Sequence, residues 1–111
     1  MKPWFLIWPK LPANGMAIFP FIIVRNAALK KDPLLINHER IHFRQQLELL
    51  LLPFFLLYLF HYLANLLRFN NHYLAYFNIC FEKEAYANEH NMSYLTVRKP
   101  FSWLHYLKKT R

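Results

Sequence analysis

The chain has 111 residues, of which 56% are hydrophobic and 19% aromatic, and a formal net charge of +8 at pH 7. That length fits one domain with a small core, and the single cysteine, Cys80, excludes an internal disulfide framework. The positive balance favours anionic partners such as lipid headgroups or acidic peptides; nucleic acid is disfavoured, because the basic residues are scattered and match no recognised binding motif.

Residues 1–15 are rich in Pro and Trp and read as irregular. The apolar run there stops at Pro9 with no small-residue cleavage site after it, so no cleavable signal peptide is expected. Asn14-Gly15 marks a turn. Met16 to Arg25 is dense in aromatic and β-branched residues and reads as a strand. Pro20 cannot donate to a ladder, which makes it an edge strand; a hydrophobic hairpin arm packed on helices fits equally well. Asp32-Pro33 then looks like a helix start, with Asp as N-cap and Pro at the first helical position. That helix should run to about Leu52.

Leu49 to Leu67 carries no formal charge. A helix over that run is about 28 Å long, close to the hydrocarbon thickness of a bilayer. Pro53 either kinks it or begins a second helix. His61 and Asn65 are unusual in a lipid-facing span, and a buried core helix is the other reading. The spanning length, the aromatic end and the following Arg68 favour the membrane. The expected location is therefore an inner or cytoplasmic membrane, with a cytoplasmic protein as the alternative. Basic residues on both sides leave orientation open. Asn70-Asn71 breaks the chain before a helix from about Tyr76 to Met92. Phe101 to Lys109 could form a short amphipathic helix with Trp103, Leu104 and Leu107 on one side, suited to a membrane surface. The expected fold is mainly α with a small β element. Its parts are a strand or hairpin arm (1–32), helices around a site (33–92) and a basic aromatic tail (93–111).

The chemistry concentrates at His38-Glu39-Arg40-Ile41-His42, an HExxH pattern inside the first expected helix. At 3.6 residues per turn, His38 and His42 stand one above the other and can grip one metal ion. Glu39 projects about 100° further round, near enough to act on a metal-bound water without ligating the metal. The bland alternative is two exposed helix histidines with Glu39 paired to Arg40. A catalytic zinc site needs a third protein ligand. Three of the six carboxylates, Glu82, Glu84 and Glu89, fall in one short downstream segment. Cys80 could be a soft ligand but reads better as a small core residue. His61 reads as a hydrogen-bonded core or pocket histidine. Gln45 and Gln46 extend the polar stripe, either orienting ligands or water or simply forming a hydrophilic face.

With HExxH and the later Glu82-Lys83-Glu84-Ala85, the chain resembles the gluzincin metallopeptidases. Their HExxH is completed by a glutamate on a later helix. The resemblance spans about residues 34 to 90 and is greatest to the integral-membrane branch, with its β-lactam-sensor antirepressor and HtpX-like peptidases. It implies Zn2+ held by His38, His42 and Glu82, with Glu84 a rival third ligand. It also implies Glu39 as general base in peptide-bond hydrolysis, a peptide or protein substrate held along the edge strand, and an oxyanion partner among Tyr86, His90 and Tyr94. The family usually has Asp just after the ExxA alanine, where this chain has Tyr86. That departure keeps open a non-catalytic zinc-binding scaffold or sensor of the same fold. A further alternative is a basic membrane-binding protein with a coincidental HExxH. A chain this apolar also suggests a partner subunit or a homo-oligomer.

Overall fold

Pro20 has no N–H and cannot sit inside a ladder, so the Met16–Arg25 run divides. In the computed structural model, which describes residues 3–107, the N-terminal third forms a three-stranded sheet. Its strands are β1 (Trp4–Ile7), β2 (Gly15–Ile18) and β3 (Phe21–Val24). Their order is β1-β3-β2, with β1 parallel and β2 antiparallel to β3. Two corrections follow. Residues 4–7 are a strand rather than irregular chain, and Pro20 lies in the β2–β3 turn, so β3 is central and β2 is an edge.

Asp32 caps the next element as expected. Its carboxylate accepts from the backbone N–H groups of Leu34 and Leu35, and Pro33 opens α1 (Pro33–Leu49). The helix stops three residues before the expected Leu52, because Leu50 turns to φ 67°. Helix α2 (Leu51–Phe69) follows at once, with Pro53 in its first turn, where no intrahelical N–H bond is lost. The expected Tyr76–Met92 helix is two helices. α3 (His72–Phe77) is capped by the Asn71 side chain, and α4 (Cys80–Asn88) starts after the Asn78-Ile79 break. Beyond them lie α5 (Tyr94–Val97) and a 3-10 turn over Ser102–Tyr106. The expected amphipathic helix over 101–109 is therefore only that turn, and residues 108 and 109 lie outside the described part. Trp103 points into the core while Leu104 and Leu107 stay exposed, so the three do not share a face.

Helix α1 lies between two small cores. Phe43 packs with Ala17, Ile22 and Val24 of the sheet. On the other side Phe54, Ile79, Cys80, Phe81 and Trp103 cluster. Gly15 allows the sheet to approach: a Cβ there would stand 3.2 Å from Leu35 Cδ1. The start of α1 is tied to the end of α4 by Asn37, whose Nδ2 donates to the carbonyls of Asn88, Glu89 and Asn91. This clamp sets the register between the HExxH helix and the glutamate helix.

Helix α2 is long and apolar enough to cross a membrane, and only 11% of its most apolar stretch is buried. It is therefore mostly exposed, with Phe54 on its inner side joining the core. Leu52, Leu56, Leu59, Phe60, Leu63 and Leu67 form one exposed face at helical spacing. Its polar groups turn inward. Asn65 Nδ2 donates to Ala75 O, and His61 Nδ1 accepts from the Cys80 N–H at the start of α4.

Candidate metal centre

His38 and His42 sit one turn apart on α1, and Glu82 reaches them from the first turn of α4. Their ligand atoms lie within 4.8 Å of one another, and all three residues are buried. Glu82 Oε1 is 3.0 Å from His38 Nε2 and 3.1 Å from His42 Nε2. A tetrahedral ion with bonds of ~2.0–2.1 Å needs donors about 3.3 Å apart, so both carboxylate–imidazole edges suit one ion.

The surrounding hydrogen bonds test the fit more closely. His38 Nδ1 lies 2.8 Å from Glu89 Oε1, an atom that can only accept. His42 Nδ1 lies 2.7 Å from Gln45 Oε1. Gln45 Nε2 donates to Phe81 O and to Glu84 Oε1, which fixes the amide with its oxygen towards His42. Both rings therefore carry Nδ1–H, and a neutral ring has only one N–H. In the neutral rings each Nε2 lone pair therefore faces Glu82, and either a proton or a metal ion can fill the place between them. Two Nε2 lone pairs and a carboxylate oxygen converging on one point make a donor set for a cation. The opposite ring nitrogens are held by hydrogen bonds, as ligating imidazoles require.

The electrostatics agree with a site built for positive charge. Burial works against ionisation of Glu82, but the two imidazoles outweigh it and hold its pKa well below the usual carboxylate range. Burial likewise disfavours the His42 cation, yet the Glu82 charge and hydrogen bond, helped by Glu39 and Gln45, raise its pKa to about 9. Tyr58 Oη donates to Glu82 Oε2 at 2.5 Å and leaves Oε1 for the cluster.

Glu39 is buried beside the cluster and accepts no hydrogen bond from it. Burial raises its pKa, against the lowering effect of His42 and His38. It lines two adjoining cavities of about 300 Å³ each. One is bordered by Asp32, Tyr76, Tyr86 and Glu89. The other, more apolar, is bordered by Met16, Ala17, Phe54, Phe55 and Tyr58. The bland reading of Glu39 as a surface partner of Arg40 does not hold.

Of the remaining sequence candidates, Glu84 lies outside the cluster of His38, His42 and Glu82. It is fully buried, pairs with Arg98 through Nε and Nη2, and accepts from Gln45 and Tyr94. Tyr94 is engaged there at 2.5 Å rather than at the cluster. His90 is exposed. Tyr86 does reach the site: its ring centroid is 4.5 Å from that of His38, and its hydroxyl meets Tyr76 Oη at 3.1 Å. Cys80 is a buried core residue and His61 a hydrogen-bonded one, as expected.

The sequence assigns no role to Tyr58, Tyr76 or Arg98, and counts Glu89 only among the three clustered carboxylates. Glu89 follows Glu82 by two helical turns, a same-face spacing that was legible. Tyr58 and Tyr76 come from other helices and left no local signal. Arg98 buries its side chain between Glu48 and Glu84. Burial disfavours its charge, but those carboxylates outweigh it and raise its pKa.

Comparison with protein-family models, curated proteins and solved structures returns no match for this chain.

Proposed function

We propose that the protein is a minimal, membrane-associated zinc metallopeptidase of the gluzincin type. The observation that carries this reading is the convergence of His38 Nε2, His42 Nε2 and Glu82 Oε1, with the unligated Glu39 in the wall of the adjoining cavities. Nitrogen and oxygen donors in a three-ligand set suit Zn2+ with an open position.

When bound, the ion supplies Lewis-acid chemistry, acidifying a water and polarising the scissile carbonyl. Glu39 takes the proton of the attacking water and returns it to the leaving amine. Tyr58 holds Glu82 in place, and Glu89 and Gln45 hold the two imidazoles. The Tyr76–Tyr86 hydroxyl pair lies at the cavity wall as the source of an oxyanion donor.

The edge strand supports an extended substrate. In the β2–β3 register the hydrogen-bonded pairs alternate, so Gly15 and Ala17 turn their N–H and C=O groups to the outer side. Gln46 Nε2 already occupies the Ala17 carbonyl at 2.8 Å. Gly15 and the Ala17 N–H remain for a substrate backbone beside His38, Glu39 and His42. The exposed apolar face of α2, with Arg68 after it, supports residence at a membrane.

The test is zinc content and hydrolysis of a random peptide library by the parent, Glu39→Gln, His42→Ala and Glu82→Ala. The reading expects about one zinc per chain in the parent and in Glu39→Gln, none in the two ligand variants, and hydrolysis by the parent alone. Zinc without turnover in the parent would replace it with the non-catalytic scaffold. No zinc in the parent would leave HExxH a coincidence.

A further inference from the structure

A buried polar chain leads from the metal centre to the C-terminal segment. His42 Nδ1–H donates to Gln45 Oε1 at 2.7 Å. Gln45 Nε2 donates to Glu84 Oε1 at 2.9 Å and to Phe81 O at 3.0 Å. Glu84 is held in turn by Arg98 and by Tyr94 Oη. Arg98 is fixed from its other side by Glu48, with Nη1 to Oε2 at 2.7 Å and Nη2 to Oε1 at 3.1 Å. Gln45 and Glu84 are fully buried, so no water can substitute for a lost partner without rearrangement.

The chain has a direction. Arg98 only donates, so both Glu84 oxygens must accept from the buried groups around them. An accepting Glu84 requires Gln45 to present its NH2 group there, and Phe81 O makes the same demand. The Gln45 oxygen is then aimed at His42, whose Nδ1 must carry the proton. Reversing the amide would set its oxygen against two acceptors and its NH2 against Nδ1. An imidazole with Nδ1–H has its lone pair on Nε2, the nitrogen that faces Glu82 and His38.

We infer that Gln45, Glu84 and Arg98 are positioning residues. They fix His42 in the Nδ1–H tautomer and so present Nε2 to the metal. This inference rests on the metal-centre reading above. It assigns Glu84 a role opposite to that of a ligand. It also makes the metal site depend on Arg98, which lies past the helices that carry the ligands.

The experiment combines zinc titration against a chromophoric chelator with 15N NMR of the histidine rings. It uses the full chain as parent, Gln45→Leu and, as a control, Asn65→Leu, which removes a different buried amide hydrogen bond, the one to Ala75 O. The parent is expected to show His42 protonated at Nδ1 and ligating through Nε2. Gln45→Leu should lose about 10–100-fold in zinc affinity, as orienting partners of ligating histidines typically do. Asn65→Leu should keep the parent's affinity, which general destabilisation would not predict. Ligation through Nδ1 in the parent overturns the inference without any variant, so it stays testable if Gln45→Leu fails to fold. Zinc in the parent with unchanged affinity in Gln45→Leu, or an equal loss in Asn65→Leu, overturns the positioning role alone. No zinc in the parent overturns the metal centre with it.

Discussion

Replacing Arg98 with Met isolates the electrostatic account of the buried network. The Arg98 side chain is 1% exposed, and that of Glu84 0%. Arg98 makes four hydrogen bonds, two to Glu84 and two to Glu48. Removal leaves Glu84 with only the neutral donors Gln45 and Tyr94. Glu48, at 14% side-chain exposure, is nearer to water and suffers less. An uncompensated buried charge of this kind costs about 3–5 kcal/mol. Met retains much of the apolar stem packing, so most of the cost is electrostatic. Unfolding of the metal-free protein in urea and mild detergent, followed by far-UV circular dichroism, measures it. Arg98→Met/Glu84→Gln removes the orphaned charge and should recover more than half of the loss. A loss below about 1 kcal/mol in Arg98→Met, or no recovery in the double variant, would refute the argument that Glu84 is buried as a charge held by Arg98.

Glu39→Gln should keep zinc and lower kcat by about 100- to 10,000-fold, the usual contribution of a general base; peptide cleavage assays on metal-loaded protein check it. His42 has a pKa raised to about 9 in the metal-free fold. Its protonation therefore stabilises that fold fully below the ordinary value of ~6.5, and the contribution is lost as pH rises through about 9. Zinc competes with that proton, so binding at pH 7.5 should release it and tighten as pH approaches 9, measured by calorimetry in buffers of different ionisation enthalpy. Leu59→Glu/Leu63→Glu places two charges on the exposed face of α2. At about 2.5–3.5 kcal/mol for each acidic residue at a bilayer centre, it should abolish flotation with lipid vesicles that the parent follows. A parent that stays unbound would count against the membrane reading. Asn37→Ala removes the donor to three carbonyls at the end of α4 and should cost about 1–3 kcal/mol in the same urea assay.

Features that depend on local spacing are legible in the chain alone. The i,i+4 interval of a helix places His38 and His42 on one face whatever surrounds them, and Asp32-Pro33 caps that helix through its own next two N–H groups. The length and apolar character of α2 follow from composition, and Pro53 signals the start of a second helix, although the break itself falls at Leu50. Tertiary structure decided the rest, because the partners come from distant segments. The sequence favours Glu82 over Glu84 only through the ExxA resemblance, but two residues apart on α4 they point different ways: one meets the imidazoles, the other meets Arg98. Residues 4–7 looked irregular because a parallel strand is defined only by its neighbour β3. Gln45 read as a hydrophilic face until α4 brought Phe81 O and Glu84 against it. A buried polar group is legible only once its acceptor is known, and in this chain every such acceptor lies at least three dozen residues from Gln45 along the sequence.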